Sequence, residues 1–220
     1  MDAINKINQQ DYRAAMGRLL VMYTQIDYLI MNAVAERMAH VPDDETRLML
    51  AKQVGDECRH VRIQQEWIQR FGTDPAPVFG EAQQAIFLAH FRELDWIDFL
   101  IDMYICVEAL GSEAVEQIVP MADPGTRESL HTPLLDEIDH VAFGLDTLRV
   151  ELARLPENER HARLDSIPRR LDYLDDSLHN FGVDIPAMFS AVGADYRAVV
   201  NTVMARRQQI VDSLALPMAA

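Results

Sequence analysis

A chain of 220 residues with 49% apolar content can bury a large core, while a formal charge of −15 argues against a phosphate-backbone partner, whose binding rests on cationic neutralisation. No run reaches the roughly 18 apolar residues of a membrane span, and the opening MDAINKINQQDYR lacks the basic-then-apolar layout of a secretory leader, so a cytoplasmic protein with no membrane or nucleic-acid partner is expected. Cys58 and Cys106 fall inside helical patterns without redox or metal spacing and read as buried thiols of a reducing compartment, with no disulfide implied.

Residues 10–39 carry apolar side chains every three or four positions, among them Leu19, Met22, Ile26, Ile30 and Val34, which predicts a long, mostly buried helix ending near His40. Val41-Pro42-Asp43-Asp44 restarts the chain as a second helix running to about Phe71-Gly72, with glycine as the stop signal, and the two form an antiparallel hairpin. TDPAPVF, between Gly72 and Gly80, cannot be regular helix, and the stretch after it through Glu93 is long enough to cross the length of a bundle. A third core helix is predicted from about Glu93 to Val119, ended by Pro120, Pro124 and Gly125. The fourth runs to about Leu155-Pro156, and Pro133 leaves its start open, because proline suits a first turn and kinks an interior.

Beyond Pro156, helical patterns near 158–181 and 192–214 are separated by Asn180-Phe181-Gly182 and Ile185-Pro186. No low-complexity linker divides the chain, so residues 1–220 are expected to form one domain, with a core bundle at about 10–155 and accessory helices at about 156–214. Hairpin, long crossover, hairpin is the topology of an all-α, ferritin-like four-helix bundle.

Two Glu-x-x-His pairs lie on the second and fourth helices, each well downstream of a lone acid. Asp27 is followed by twenty-eight residues and then Asp56-Glu57-Cys58-Arg59-His60; Glu108 is followed by twenty-seven and then Asp136-Glu137-Ile138-Asp139-His140. Helical residues three apart share a face, so the Glu and His of each pair reach one inward point, and an acid from each of the other two helices completes a two-metal carboxylate site. A single such pair is most often solvated; two pairs with matched upstream acids bury four carboxylates, which require a strong compensating charge. Metal ligands are therefore expected at Asp27, Glu57, His60, Glu108, Glu137 and His140. Oxygen-rich ligation with two imidazoles and no thiolate suits two iron ions, or manganese at one or both positions, better than a closed zinc site.

These residues resemble the repeated signature of non-haem di-iron oxygenases and their ferritin-like relatives, over about 115 residues of the chain. The resemblance implies that Asp56 and Asp136 hydrogen-bond the histidines of the opposite motif and fix their orientation. Two positions depart from it. Asp27 stands where Glu is usual, shortening the reach by one methylene and leaving an open or water-filled position, and Asp139 replaces an Arg, so the pairing that Arg59 makes is not duplicated. Ribonucleotide reductase small subunits place a radical tyrosine four residues after the first motif histidine; Gln64 stands there in this chain and disfavours that branch.

Gly111 and Ser112, just beyond Glu108 on the ligand face, would leave space for dioxygen and substrate, and a hydroxyl there resembles the hydrogen-bonding residue of bacterial di-iron monooxygenases. Tyr23 and Tyr104, four residues before Asp27 and Glu108, would bring their hydroxyls to the site, although tyrosines that fill core volume are commoner. The acidic chain, its length and its extra carboxyl-terminal helices look most like the phenylacetyl-CoA epoxidase catalytic subunit. The function so implied is a di-iron monooxygenase or related oxidase using dioxygen to hydroxylate, epoxidise or otherwise oxidise a small organic substrate. It implies electrons from a reductase or ferredoxin, and a homo- or hetero-oligomer. Iron handling or peroxide scavenging, as in bacterioferritin and rubrerythrin, and a non-catalytic bundle subunit are the alternatives.

Overall fold

The computed structural model describes residues 9–180 and 183–215; the leader-free reading of residues 1–8 and the Phe181-Gly182 part of the predicted break lie outside them. Among the described residues every regular element is helical, and none is long and apolar enough to cross a membrane. Helix α1 (Gln9–Arg37) ends in a single 3-10 turn, and α2 (Asp44–Phe71) follows. Asp43 caps α2 by accepting from the Thr46 amide at 2.7 Å, and Gly72 closes it in the left-handed region at φ 66°, where a Cβ would be strained. The hairpin is antiparallel: Arg47 Nε donates to the Met38 carbonyl beside the connection, and Gln64 Nε2 reaches Asp27 Oδ2 several turns away.

The crossover is strapped to α1 by Gln25, whose Oε1 accepts from the Phe79 amide at 2.9 Å while its Nε2 donates to the Phe79 carbonyl at 3.0 Å. Helix α3 (Glu81–Glu93) then packs against α1. The third core helix does not begin at Glu93 as expected. Leu94 is extended and Asp95 caps a fresh start, accepting from the Asp98 amide at 2.8 Å, so the helix opens at Trp96. It is one rod of three parts: α4 (Trp96–Leu100), a π-helical segment (Ile101–Ala109) and α5 (Leu110–Glu116). The Leu110 amide donates five residues back to Ile105, the signature of the wider π turn, which concentrates at functional sites. The rod stops at Glu116, short of Val119, which belongs to a 3-10 turn with Pro120.

The fourth core helix, α6 (Arg127–Ala153), holds Pro133 within it and not at its start. Three further helices follow: α7 (Glu157–Asn180), α8 (Ile185–Ala191) and α9 (Tyr196–Ala215). Ile185-Pro186 marks a boundary as expected: it opens α8, with proline in the first turn, where its missing N–H costs nothing, and Asp184 caps that turn. A second break falls at Gly193, whose φ of 91° few side chains tolerate, so the pattern expected from residue 192 starts at Tyr196. Helix α7 packs on the π segment, α8 on α1 and α9 on α5. The result is the expected all-α ferritin-like bundle with a long crossover and added carboxyl-terminal helices.

Two apolar clusters fill the interior, one around Leu50, Phe99, Met103 and Leu148, the other around Met16, Leu19, Ile68 and Leu130. Ile26 packs against both, and its neighbour Asp27 opens a polar layer between them. Each large side chain so buried contributes about 1.5–3 kcal/mol, which allows the bundle to carry that layer. Cys106 is buried as expected, whereas Cys58 is only half-buried, and both are free thiols.

Candidate metal centre

The polar layer gathers all six expected ligands. Ligand atoms of Glu57, Glu108, Glu137 and His140 lie within 4.8 Å of one another, and so do those of Asp27, Glu57 and His60. The motif glutamates sit between the two imidazoles. His60 Nδ1 is 3.2 Å from Glu57 and 3.8 Å from Glu137, while His140 Nδ1 is 3.3 Å from Glu137 and 3.6 Å from Glu57. Glu57 belongs to both groups, and its Oε1 is buried without a hydrogen-bond partner among the described residues.

The far side of each imidazole is tied crosswise. His60 Nε2 lies 2.9 Å from Asp136 Oδ2, and His140 Nε2 lies 3.1 Å from Asp56 Oδ2, as the resemblance implies. An ionised carboxylate only accepts, so in the neutral ring Nε2 carries the proton and the Nδ1 lone pair turns inward. Arg59 pairs with Asp136 and, at 3.2 Å, with Asp56. Lys52 bridges Asp56 at 3.1 Å and Asp139 at 3.3 Å, so the cation that Asp139 does not supply comes from α2. Burial raises the Asp56 and Asp136 carboxyls, but Lys52 and His140 at the first, and His60 and Arg59 at the second, outweigh it and hold both below the usual range.

Inside this ring the sign reverses. Burial, with the Glu57 charge next, pushes Asp27 up to about 8. Burial also holds Glu57, Glu108 and Glu137 well above the ordinary carboxylate range, and Glu108 and Glu137 hydrogen-bond to each other. Once ionised, buried acids crowded around inward-facing imidazole lone pairs would need positive charge, which two divalent cations would supply with the right donor set. The residues present therefore fit a two-metal site, with oxygen donors dominant and no thiolate.

Two glutamines hold the remaining acids: Gln64, which the sequence marks only as standing in the radical-tyrosine position, and Gln53, which no sequence signal marks. Gln53 Nε2 donates to Glu108 Oε1 at 2.5 Å, and its own Oε1 accepts from Tyr104 at 2.7 Å. Gln64 Nε2 donates to Asp27 Oδ2 at 2.7 Å, with Thr24 Oγ1 at 2.9 Å from its Oε1. Tyr104 thus meets the site through Gln53, its ring pressed on the backbone of Gly144, a close approach only glycine permits. The Tyr23 hydroxyl is buried and has no hydrogen-bond partner among the described residues. Ser112 donates to the Glu108 carbonyl at 2.7 Å, the nearest acceptor for a helical hydroxyl, and so does not aim its proton at the site.

A cavity of about 100 Å³ opens beside Asp27, Glu108 and Glu137, with Tyr23, Gln64, Gly111, Ser112 and Ser129 also on its walls. The rest of its lining is apolar, including Ile26, Ile30, Leu130 and Leu134; His60 and His140 are not part of it. A Cβ on Gly111 would meet nothing within 4 Å, so open space lies beside this residue.

No protein-family model matches the chain, and no curated protein matches it. Among solved structures the chain is similar to a Synechococcus protein with aldehyde deformylating oxidase activity, at 15% identity, over 99% of this chain and 95% of that one, with a TM-score of 0.76. The likeness spans the accessory helices as well as the core and supports the ferritin-like fold; it lends nothing to the phenylacetyl-CoA epoxidase branch.

Proposed function

We propose that this chain is an oxidoreductase that holds two metal ions, iron being the best match to its donors, and uses dioxygen to oxidise a compact, mainly apolar organic substrate. The cavity carries the reading. Three of the six candidate ligands face it, its other walls are mostly apolar, and the histidines with their anchoring acids lie outside it. A site for storing or passing iron has no use for an apolar chamber against its carboxylates, whereas substrate oxidation needs one.

Asp27, Glu57, His60, Glu108, Glu137 and His140 would hold the metals, with Glu57 shared between the two groups. When bound, iron supplies the redox capacity for dioxygen that no side chain has. The protein does the rest. Asp56 and Asp136 keep the imidazoles oriented, Ile26, Ile30 and Leu130 exclude water, and Gly111 keeps the chamber open. A 150 Å³ apolar cavity is known to take benzene, so the enclosed part here admits a group of about four or five non-hydrogen atoms, with longer substrates extending outward. An aldehyde, on which the structural neighbour acts, has that character. Electrons would come from a reductase or ferredoxin.

The test is anaerobic loading with Fe(II), metal analysis, and dioxygen consumption with a panel of short aliphatic aldehydes. Substrate-dependent consumption that Glu137→Ala abolishes with the fold retained is expected. Consumption indifferent to organic substrate, with ferric iron accumulating, would instead establish iron handling.

A further inference from the structure

We propose that Gln53 and Gln64 are positioning residues, each fixing one candidate ligand carboxylate from another helix so that its second oxygen is the one presented to metal. The proposal rests on the two-metal reading above. Gln53 lies four residues before Glu57 and Gln64 four after His60, eleven apart on α2, close to three full turns, so both point the same way. They flank the α2 motif and reach sideways, Gln53 to Glu108 on the π segment and Gln64 to Asp27 on α1. Both are almost wholly buried, at 2% and 3% exposure, where an N–H to carboxylate hydrogen bond has no competing water.

The hydroxyls behind them fix which way each amide faces. A carboxamide has one acceptor end and one donor end. Tyr104 donates to the acceptor end of Gln53, so only the donor end is left for Glu108. Thr24 does the same for Gln64, but its single proton is divided between Gln64 Oε1 and the Leu20 carbonyl at 2.8 Å. The Glu108 arm is therefore the tighter of the two. A carboxylate with one oxygen held in this way cannot swing freely between one-oxygen and two-oxygen binding, so the amides set how these two ligands engage.

The experiment titrates the full-length chain with Fe(II) anaerobically against a competing chelator, and records the visible spectrum of the Co(II)-loaded protein as a probe of ligand geometry. Gln53→Met and Gln64→Met remove the amide at nearly constant volume; each is expected to weaken one metal-binding step about 10–100-fold and to change the Co(II) bands. Tyr104→Phe should weaken the same step as Gln53→Met by less. Added to Gln53→Met it should cost nothing more, because the hydroxyl then has no amide to orient. Gln53→Asn, which keeps the amide but draws it back by one methylene, replaces Gln53→Met if that variant does not fold.

Folded glutamine variants with native affinity and native Co(II) bands overturn the proposal, as does a fully additive Tyr104→Phe. If the native chain binds neither Fe(II) nor Co(II), the two-metal reading falls and takes this one with it; if the native chain binds them and the variants match it, only the positioning role falls.

Discussion

Gly144 offers a test in which the sign of a stability change is fixed by geometry. It lies one turn beyond His140 on α6, and a Cβ there would come within 2.6 Å of Tyr104 Cδ1 and closer still to its Cβ and Cγ. The ring has nowhere to go. It is fully buried, edge-on to Phe143 at 5.7 Å and to Phe99 at 6.3 Å, and its hydroxyl is committed to Gln53. Gly→Ala inside an unobstructed helix stabilises by about 0.5–1 kcal/mol, and Gly55, exposed in α2 with nothing within 4 Å of its would-be Cβ, is such a position. At Gly144 the same propensity gain is set against overpacking of about 1–3 kcal/mol, and the overlap with a pinned aromatic ring places the cost at the upper end. Gly144→Ala is thus expected to lose about 2–2.5 kcal/mol, lowering the thermal midpoint by roughly 4–10 °C, while Gly55→Ala raises it by about 1–4 °C. Urea unfolding and calorimetry of the metal-free chain measure both. A Gly144→Ala variant at least as stable as the native chain would refute the packing of Tyr104 on the α6 backbone.

Two further outcomes follow from the charges. Burial places Asp27 at about 8 against an ordinary 3.8, and Glu57, Glu108 and Glu137 are also raised, so the folded metal-free chain binds more protons than the unfolded one. The stabilisation is complete below the unfolded values and is lost as pH rises towards 8. Asp56 and Asp136, shifted down, titrate below that window. The metal-free midpoint should therefore fall between about pH 5 and 8, and metal uptake near neutrality should release protons, counted by calorimetry in buffers of different ionisation enthalpy; uptake without proton release contradicts the raised acids. In the accessory layer, Arg170 on α7 pairs with Asp98 at 2.6 Å and with the 1%-exposed Asp102 at 3.1 Å. Arg170→Met leaves that buried carboxylate, among the described residues, to His90, and a loss of about 2–4 kcal/mol in urea unfolding is expected; an unchanged midpoint would show that α7 is not anchored through it.

The convergence of the six acids and histidines was legible because a helix turns a spacing of three into a shared face, and two copies of the spacing select one inward point. The crosswise reach of Asp56 and Asp136 came from the family resemblance, one residue before each motif. Other features left no such trace. Gln53 and Thr24 are polar residues in helices rich in them, and nothing periodic marks an amide that faces a carboxylate. Gly144 reads in sequence only as a weak helix former, although its lack of a side chain is what admits Tyr104. The π segment escaped because its residues, IDMYICVEA, hold no proline or glycine and nothing in their spacing marks a wider turn. The short α8 escaped for a related reason, since Ile185-Pro186 reads as a boundary whether or not a helix starts there.

Taken together, the contacts are unevenly divided among the four core helices, and the division says how the centre is assembled. Helix α1 brings Asp27, the π segment Glu108, and α6 its motif, but the groups that hold those acids in place belong largely to α2: Gln64 for Asp27, Gln53 for Glu108, Arg59 for Asp136. Lys52, also on α2, ties Asp56 to Asp139 across the α2–α6 interface and so makes good the arginine missing from the second motif. Helix α2 is capped at both ends, by Asp43 and by left-handed Gly72, which satisfies its terminal backbone groups and defines where it starts and stops. One well-capped helix thus presents Glu57, the two amides and the cations together, and Asp27, Glu108 and the α6 motif, each from a different element, converge on that one face.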